Sequence, residues 1–502
     1  MAKFAIAAGD QITADAAAHT LRAGGSVVDA VIAGALAACV AEPVLASLLG
    51  GGFLMVRDAD GRAHLLDFFV QTPKRKLPPS EMDFRGVMAD FGETKQEFQI
   101  GAASIAAPGV AVGLAEAHAR FGRIPFPELT APAVKAAKDG TQLSAYQASV
   151  LEIVRPIFKS TPEALVTFGD GKKLLGSGDL YRNEALADVI ETYAHEGPRF
   201  MQEGEVASAL LSLDGGHLTV ADLKGFTAKW RAPLVESRGK ARLHLNPAPS
   251  LGGTLIAFAL RLIEMGATPA DIARAFAAAS RARLAVDLNR QPEAGSARLL
   301  APDLAEVYRK EIAGQKAATQ GTTHISVIDG QGCGAAITLS NGAGSGLIAP
   351  GTGLMPNNML GEEDLIPGDW HEWAPDTRLS SMMAPTAIKW PDGGLAMLGS
   401  GGSNRIRTAI AQVAARIIDD EERLEDAVAA PRVHVEGADP KVDFEDRLPE
   451  GDRAALLAAY PEAQAWAADS MFFGGVHAVR RDAGAGFEAV GDARRSGAVL
   501  LD

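Results

Sequence analysis

The sequence predicts a protein that mixes helices with strands, organised around a β-hairpin, and three stretches carry that prediction. The first is the hairpin, in which Thr322-Thr323-His324-Ile325-Ser326-Val327-Ile328 runs into Asp329-Gly330-Gln331-Gly332 and returns from Cys333 to Leu339. Ile325 and Val327 alternate with smaller or polar residues, and Ala335, Ile337 and Leu339 continue the period on the return strand. The second is Ala30 to Ala41, apolar on every side, opened by Asp29 and closed by Glu42-Pro43. About a dozen apolar residues fall short of the roughly 20 that span a membrane, so this run predicts a helix inside a core. The third is Leu395 to Leu398, followed by Gly399-Ser400-Gly401-Gly402-Ser403-Asn404 and a long helical pattern from Arg405. Consecutive backbone amides at such a strand-to-helix glycine turn form a natural oxyanion hole.

Composition bounds the function. At 502 residues, 47% of them hydrophobic, the chain can bury a large core; length alone suggests about three domains, although big layered sheets run this long as one unit. A net charge of −14 argues against nucleic acid or an anionic membrane surface as partner, since either requires a basic face. Cys39 and Cys333 are the only cysteines, one in the apolar helix and one on the return strand, so both read as small core residues rather than a disulfide framework. The ten histidines lack metal-ligand spacing, and the expected site has no metal and no cofactor. Met1 to Gly9 carries one positive charge and few apolar residues, too short for a secretory h-region, which makes the expected location cytoplasmic.

In chain order, Ile12 to Arg22 favours a helix ended by Gly24-Gly25. Gly50-Gly51-Gly52 leads into the strand Phe53 to Val56, partnered by His64 to Phe69; with no Gly-Lys-Ser/Thr it reads as a tight helix-to-strand connection rather than a phosphate loop. Residues 74 to 98 are charged and irregular. Helical patterns follow after Ala107-Pro108-Gly109 through Arg120, at Ala131 to Lys138, Glu184 to His195 and Val206 to Leu213. A strand at Leu243 to Leu245 enters Pro249-Ser250-Leu251-Gly252-Gly253, which starts a helix from Thr254 to Met265, and helices fill most of 269 to 312. Thr386 to Trp390 is a strand turned by Pro-Asp-Gly-Gly onto Leu395; helices and two further strands complete the chain.

The hairpin also places hydroxyls together. If Ile328 pairs with Cys333 across a four-residue turn, Thr322 lies opposite Leu339, and a slip of one residue brings Thr338 or Ser340 beside it. Ala317-Ala318-Thr319-Gln320-Gly321, small and polar, leads into this rigid strand and suits attack of the Thr322 hydroxyl on the preceding carbonyl. Cleavage there frees the Thr322 amine. An α-amino group, with a reference pKa far below that of lysine, can act as base for its own hydroxyl at neutral pH.

The ordered segments Ala23-Gly24-Gly25 with Val28-Asp29-Ala30, the triple glycine before Phe53, Ala107-Pro108-Gly109, Pro249 to Gly253, Thr322-Thr323-His324, Leu379-Ser380-Ser381-Met382 and Gly401-Gly402-Ser403 resemble the γ-glutamyltransferase family of N-terminal nucleophile hydrolases. The resemblance implies an α+β fold, the four-layer αββα sandwich, and a precursor that splits between Gly321 and Thr322. Residues 1–321 would form the large subunit and 322–502 the small one, a heterodimer of two fragments within one structural unit that can dimerise further. It implies that Thr322 is the nucleophile, Thr338 the supporting hydroxyl, Gly401 and Gly402 the oxyanion glycines, and Ser380 and Ser381 the pair that binds the substrate carboxylate. Asn341 matches the asparagine behind the nucleophile, or Ser340 does if a gap falls differently.

Two positions depart from the family. Phe69, in Leu66-Asp67-Phe68-Phe69, stands where an arginine clamps the α-carboxylate of a γ-glutamyl group. Loss of such a pair from a buried site costs about 2 to 5 kcal/mol, roughly two to three decades in affinity. Arg75 and Arg378 are positional candidates for a replacement cation. After Asn357-Asn358, the family's amine-binding glutamine and aspartate align with Met359 and Glu362, and the shorter segment from Glu362 to Arg378 implies a more open pocket. The expected function is therefore a self-processing amide hydrolase or acyltransferase acting on a small-molecule amide other than an ordinary γ-glutamyl compound. The alternative is a non-catalytic binder of a small molecule or partner on the same fold.

Overall fold

Alternation along the central strands decides the layers. The computed structural model describes residues 3–90, 95–301, 303–308, 322–366, 370–437, 441–484 and 486–502. Thr323–Asp329 and Gly334–Ser340 are the hairpin strands, flanked by Phe4–Ala8 and Ala498–Leu501 on one side and by Gly51–Arg57, Ala63–Asp67 and Lys229–Arg231 on the other, in one seven-stranded antiparallel sheet. Ile325, Val327, Ala335 and Ile337 turn outward onto Ala14, Val31, Ile32 and Leu36 of the helices Gln11–Arg22 and Val27–Ala41. Their neighbours Ile328 and Ala336 turn the other way, into a core shared with a six-stranded sheet. That sheet runs Phe487–Val490, Gly475–Arg481, Leu395–Gly401, Thr386–Lys389, Ala241–Leu245 and Leu234–Arg238, again antiparallel. Gly252–Leu262, Pro269–Ala285 and Arg405–Asp419 cover its far face. The fold is the four-layer αββα sandwich expected.

The helix opened by Asp29 starts at Val27, capped by a reciprocal bond between Ser26 and Asp29, and all fifteen residues are buried, which explains its apolar circumference. Both cysteines are free and buried.

Several expectations need correction. Residues 74 to 98 include a hairpin, Arg85–Asp90 with Lys95–Ile100, whose charged residues sit on an exposed ribbon and hide the alternation. Phe4–Ala8 is an unpredicted central strand of five buried residues. The last 70 residues hold six strands, among them Val433–Glu436, Lys441–Glu445 and Gln464–Trp466, rather than two. The hairpin register is also displaced by one: Ile328 faces Gly334 and Thr323 faces Leu339. Asp329 causes the shift. Its carboxylate accepts from the amides of Gln331 and Cys333, both at 2.9 Å, which draws Cys333 into the turn.

Candidate active site

Thr322 opens the hairpin strand with its side chain on the inner face, 5% exposed, and the register continues to Ser340 as its opposite residue. Thr338, expected beside the nucleophile, lies two pairs deeper, facing His324, and its hydroxyl is 2.7 Å from His324 Nδ1. The register that puts Ser340 level with Thr322 leaves Thr338 there. His324 Nε2 meets the Ser326 hydroxyl at 2.8 Å, and burial holds this imidazole well below its usual pKa, so it sits neutral between the sheets.

The glycine turn comes from the opposing sheet. A side chain on Gly401 would place its Cβ 2.1 Å from the Thr322 carbonyl oxygen, so the two backbones touch as only glycine allows. Gly402 follows with φ 117° and Ser403 with φ 52°, and the helix begins at Arg405.

Thr322 and Ser340 line one small pocket with Glu362, Asp364, Ser381 and Ser403. Its apolar walls are Phe69, Met359, Leu365, Met382, Met383 and Ile406. Phe69 stacks on Phe53 with ring centres 5.7 Å apart. No arginine, lysine or histidine is among these described lining residues. Arg378 cannot serve as replacement clamp, because its guanidinium is spent on the carbonyls of Phe69 and Thr227 and packs over the Phe226 ring. Arg75 donates to the His217 carbonyl. The acids are raised instead. Burial, then the neighbouring Asp364, pushes Glu362 well above the carboxylate range against an amide bond from Ala343 at 2.9 Å. Burial likewise pushes Asp364 up to about 6.

Ser381 reaches the pocket, its hydroxyl accepting from the Met383 amide at 3.1 Å, while Ser380 is buried next to it and does not line the cavity. The Ser381 carbonyl receives Ser250 Oγ and the amides of Leu251 and Gly252 at 3.0, 2.9 and 3.1 Å. The free amides of that proline and glycine loop thus hold the serine segment, a structural duty. Asn341 points away, its amide donating to the Met355 carbonyl at 3.1 Å. Gly321 lies outside the described residues. Sequence reasoning missed Asp364, Ser403 and Ile406. Asp364 was visible only as the end of the acidic run from Glu362, and no local pattern sets it apart from Glu363.

With this geometry in view, the Gamma-glutamyltranspeptidase family model matches residues 13–501. The chain belongs to the gamma-glutamyltranspeptidase family. Within that family it is 30% identical over 473 residues to the glutathione hydrolase proenzyme of Pseudomonas aeruginosa, covering 86% of this chain and 82% of the relative. It is also 30% identical to the Acylase ACY 1 proenzyme of Pseudomonas sp. strain V22 over 474 residues, 88% and 84% of the two chains. The crystal structure of cephalosporin acylase from Bacillus halodurans superposes with a TM-score of 0.83 at 22% identity, over 99% of this chain and 96% of that one, a likeness of fold. Together these similarities support an N-terminal nucleophile amidohydrolase or transferase.

Proposed function

We propose that this gamma-glutamyltranspeptidase family member is made as a precursor that cuts itself between Gly321 and Thr322, leaving residues 1–321 and 322–502 as a heterodimer that hydrolyses or transfers the acyl group of a small-molecule amide. The freed Thr322 amine takes the proton of its own hydroxyl as Oγ adds to the substrate carbonyl. The Gly401 and Gly402 amides receive the oxyanion, the intermediate collapses, and the proton returns to the departing amine. Water or an acceptor amine then releases the acyl group from Thr322. Ser340, level with the nucleophile, takes the orienting role first assigned to Thr338. The observation that carries this reading is the convergence of Thr322, Ser340 and Ser381 on one pocket, with Gly401 against the Thr322 carbonyl.

The lining also bears on the acyl group. A free α-carboxylate would meet Phe69, Met359 and two carboxyl groups with no cation among the described lining residues. An apolar acyl chain, or one bearing an ammonium that Glu362 can receive, fits better. Intact-mass measurement beside Thr322→Ala tests the nucleophile: wild type gives two fragments that break before Thr322, and the variant stays whole. Amide substrates are then compared with glutathione. Turnover of glutathione at an affinity ordinary for such enzymes would overturn the acyl-group assignment, and an unprocessed wild-type chain without amidase activity would favour a non-catalytic binder.

A further inference from the structure

Asp364 serves two places at once. It lines the acyl pocket with Thr322 and Glu362. Its carboxylate also accepts from the Ser403 hydroxyl and, at 2.9 Å, from the Asn404 side-chain amide. These two residues directly follow Gly401-Gly402. Ser403 has a side chain yet holds φ 52°, next to Gly402 at φ 117°. A left-handed residue other than glycine costs ~1 kcal/mol or more and persists where its surroundings enforce it. The Asp364 carboxylate, bonded to Ser403 and its neighbour, supplies that enforcement from the pocket side.

We propose that Asp364 is a positioning residue, which clamps the Gly402-Ser403-Asn404 turn in its left-handed form and so keeps the Gly401 and Gly402 amides aimed at the oxyanion formed on Thr322. The inference rests on the reading of Thr322 as nucleophile. It also connects pocket and catalysis, because the same carboxylate that faces the acyl group anchors the turn.

Charged groups face Asp364 from every side: Glu362 from its own segment, Glu436 from Val433–Glu436, Arg405 from Arg405–Asp419 and Arg283 from Pro269–Ala285. Burial raises the carboxyl most; the Ser403 bond opposes it, Glu436 adds to it, and Arg405 and Arg283 oppose it, with the result at about 6. Because the folded value lies above the usual one, the carboxylate that accepts both bonds is present above pH 6 and is lost as pH falls through 6. A protonated carboxyl can no longer accept from both donors without competition.

The test uses processed, full-length protein on an amide it turns over. D364N, D364E, S403A and the double variant D364N/S403A are compared with wild type for kcat, KM and the pH dependence of kcat. D364N should lose about 10- to 100-fold in kcat, far more than any change in KM for an uncharged acyl group. The acid limb near pH 6 should vanish in D364N, D364E should recover part of the rate, and the double variant should lose no more than D364N alone. A D364N enzyme with wild-type kcat and an unchanged acid limb overturns the proposal, as does an additive loss in the double variant, and S403A gives the same comparison if D364N folds poorly. If Thr322→Ala keeps amidase activity, the reading of Thr322 itself falls, an outcome distinct from either.

Discussion

Thr322 and Ser340 stand level at the open end of the hairpin within the seven-stranded sheet, and each residue nearby has a different duty. Thr323, facing outward, donates to Glu42 Oε2 at 2.6 Å and anchors the strand one residue past Thr322. Thr338 holds the neutral imidazole of His324 at 2.7 Å. This division separates two variants that the resemblance alone would treat alike. Ser340→Ala should lower kcat by about tenfold or more, because a hydroxyl level with Thr322 is lost, and should also lower the melting temperature modestly, because the Gly342 amide loses its acceptor at 3.0 Å. Thr338→Ala should act on stability, about 1 to 3 kcal/mol, by leaving His324 Nδ1 without its partner in a dry interior. Thermal melts beside steady-state kinetics check both, and a large kcat loss in Thr338→Ala at normal stability would restore the original assignment.

At the scale of elements, the site is the meeting of the two sheets. The hairpin strand supplies Thr322, and Leu395–Gly401 supplies the glycine that closes on it, so under the proposed function the distance between sheets sets the catalytic geometry. Gly401→Ala tests that coupling. Its Cβ would lie 2.1 Å from the Thr322 carbonyl and 3.0 Å from Arg495 Nη1, and backbone contact leaves the strand to give way. The expected result is a kcat loss of about 10²-fold or more, because a displacement near 1 Å misplaces the oxyanion amides. Near-normal turnover in a folded Gly401→Ala enzyme would show that the oxyanion is held elsewhere.

Across the whole molecule, Glu42 ties three elements together: it ends the helix Val27–Ala41, accepts from Thr13 of Gln11–Arg22 at 3.0 Å, and accepts from Thr323. Burial, then Asp10, pushes its carboxyl up to about 8. The folded value is above the unfolded one, so the folded state binds the extra proton between the two. Stability from this group is complete below about 4.5 and falls as pH rises to about 8. Glu42→Gln imitates the neutral acid. Its unfolding free energy relative to wild type should grow from pH 5 to pH 8, by at most ~1.4 kcal/mol for each pH unit. Parallel pH curves for the two proteins would mean that Glu42 carries its charge in the fold.

Much of this was legible from one dimension. Apolar circumference marked Ala30 to Ala41 as a buried helix, and period two marked the hairpin. Such features are local or depend on residue type alone, and local propensity writes them directly into the chain. The register escaped because a single Asp329 carboxylate lengthened the turn by one residue, which brings Ser340 rather than Leu339 level with Thr322 and sets Ile325 and Val327 opposite Ile337 and Ala335 on one face. Phe4–Ala8 escaped because five small apolar residues become a strand only when neighbours on both edges pair with it. By itself, then, the sequence determined the hairpin, the buried helix and the threonine at the head of the strand, and its family resemblance implied the layers. Only the tertiary structure decided which hydroxyl faces that threonine, that Arg378 is spent elsewhere, and that Asp364 reaches the glycine turn. Those contacts join residues far apart in the chain, and packing, not local pattern, sets their distances.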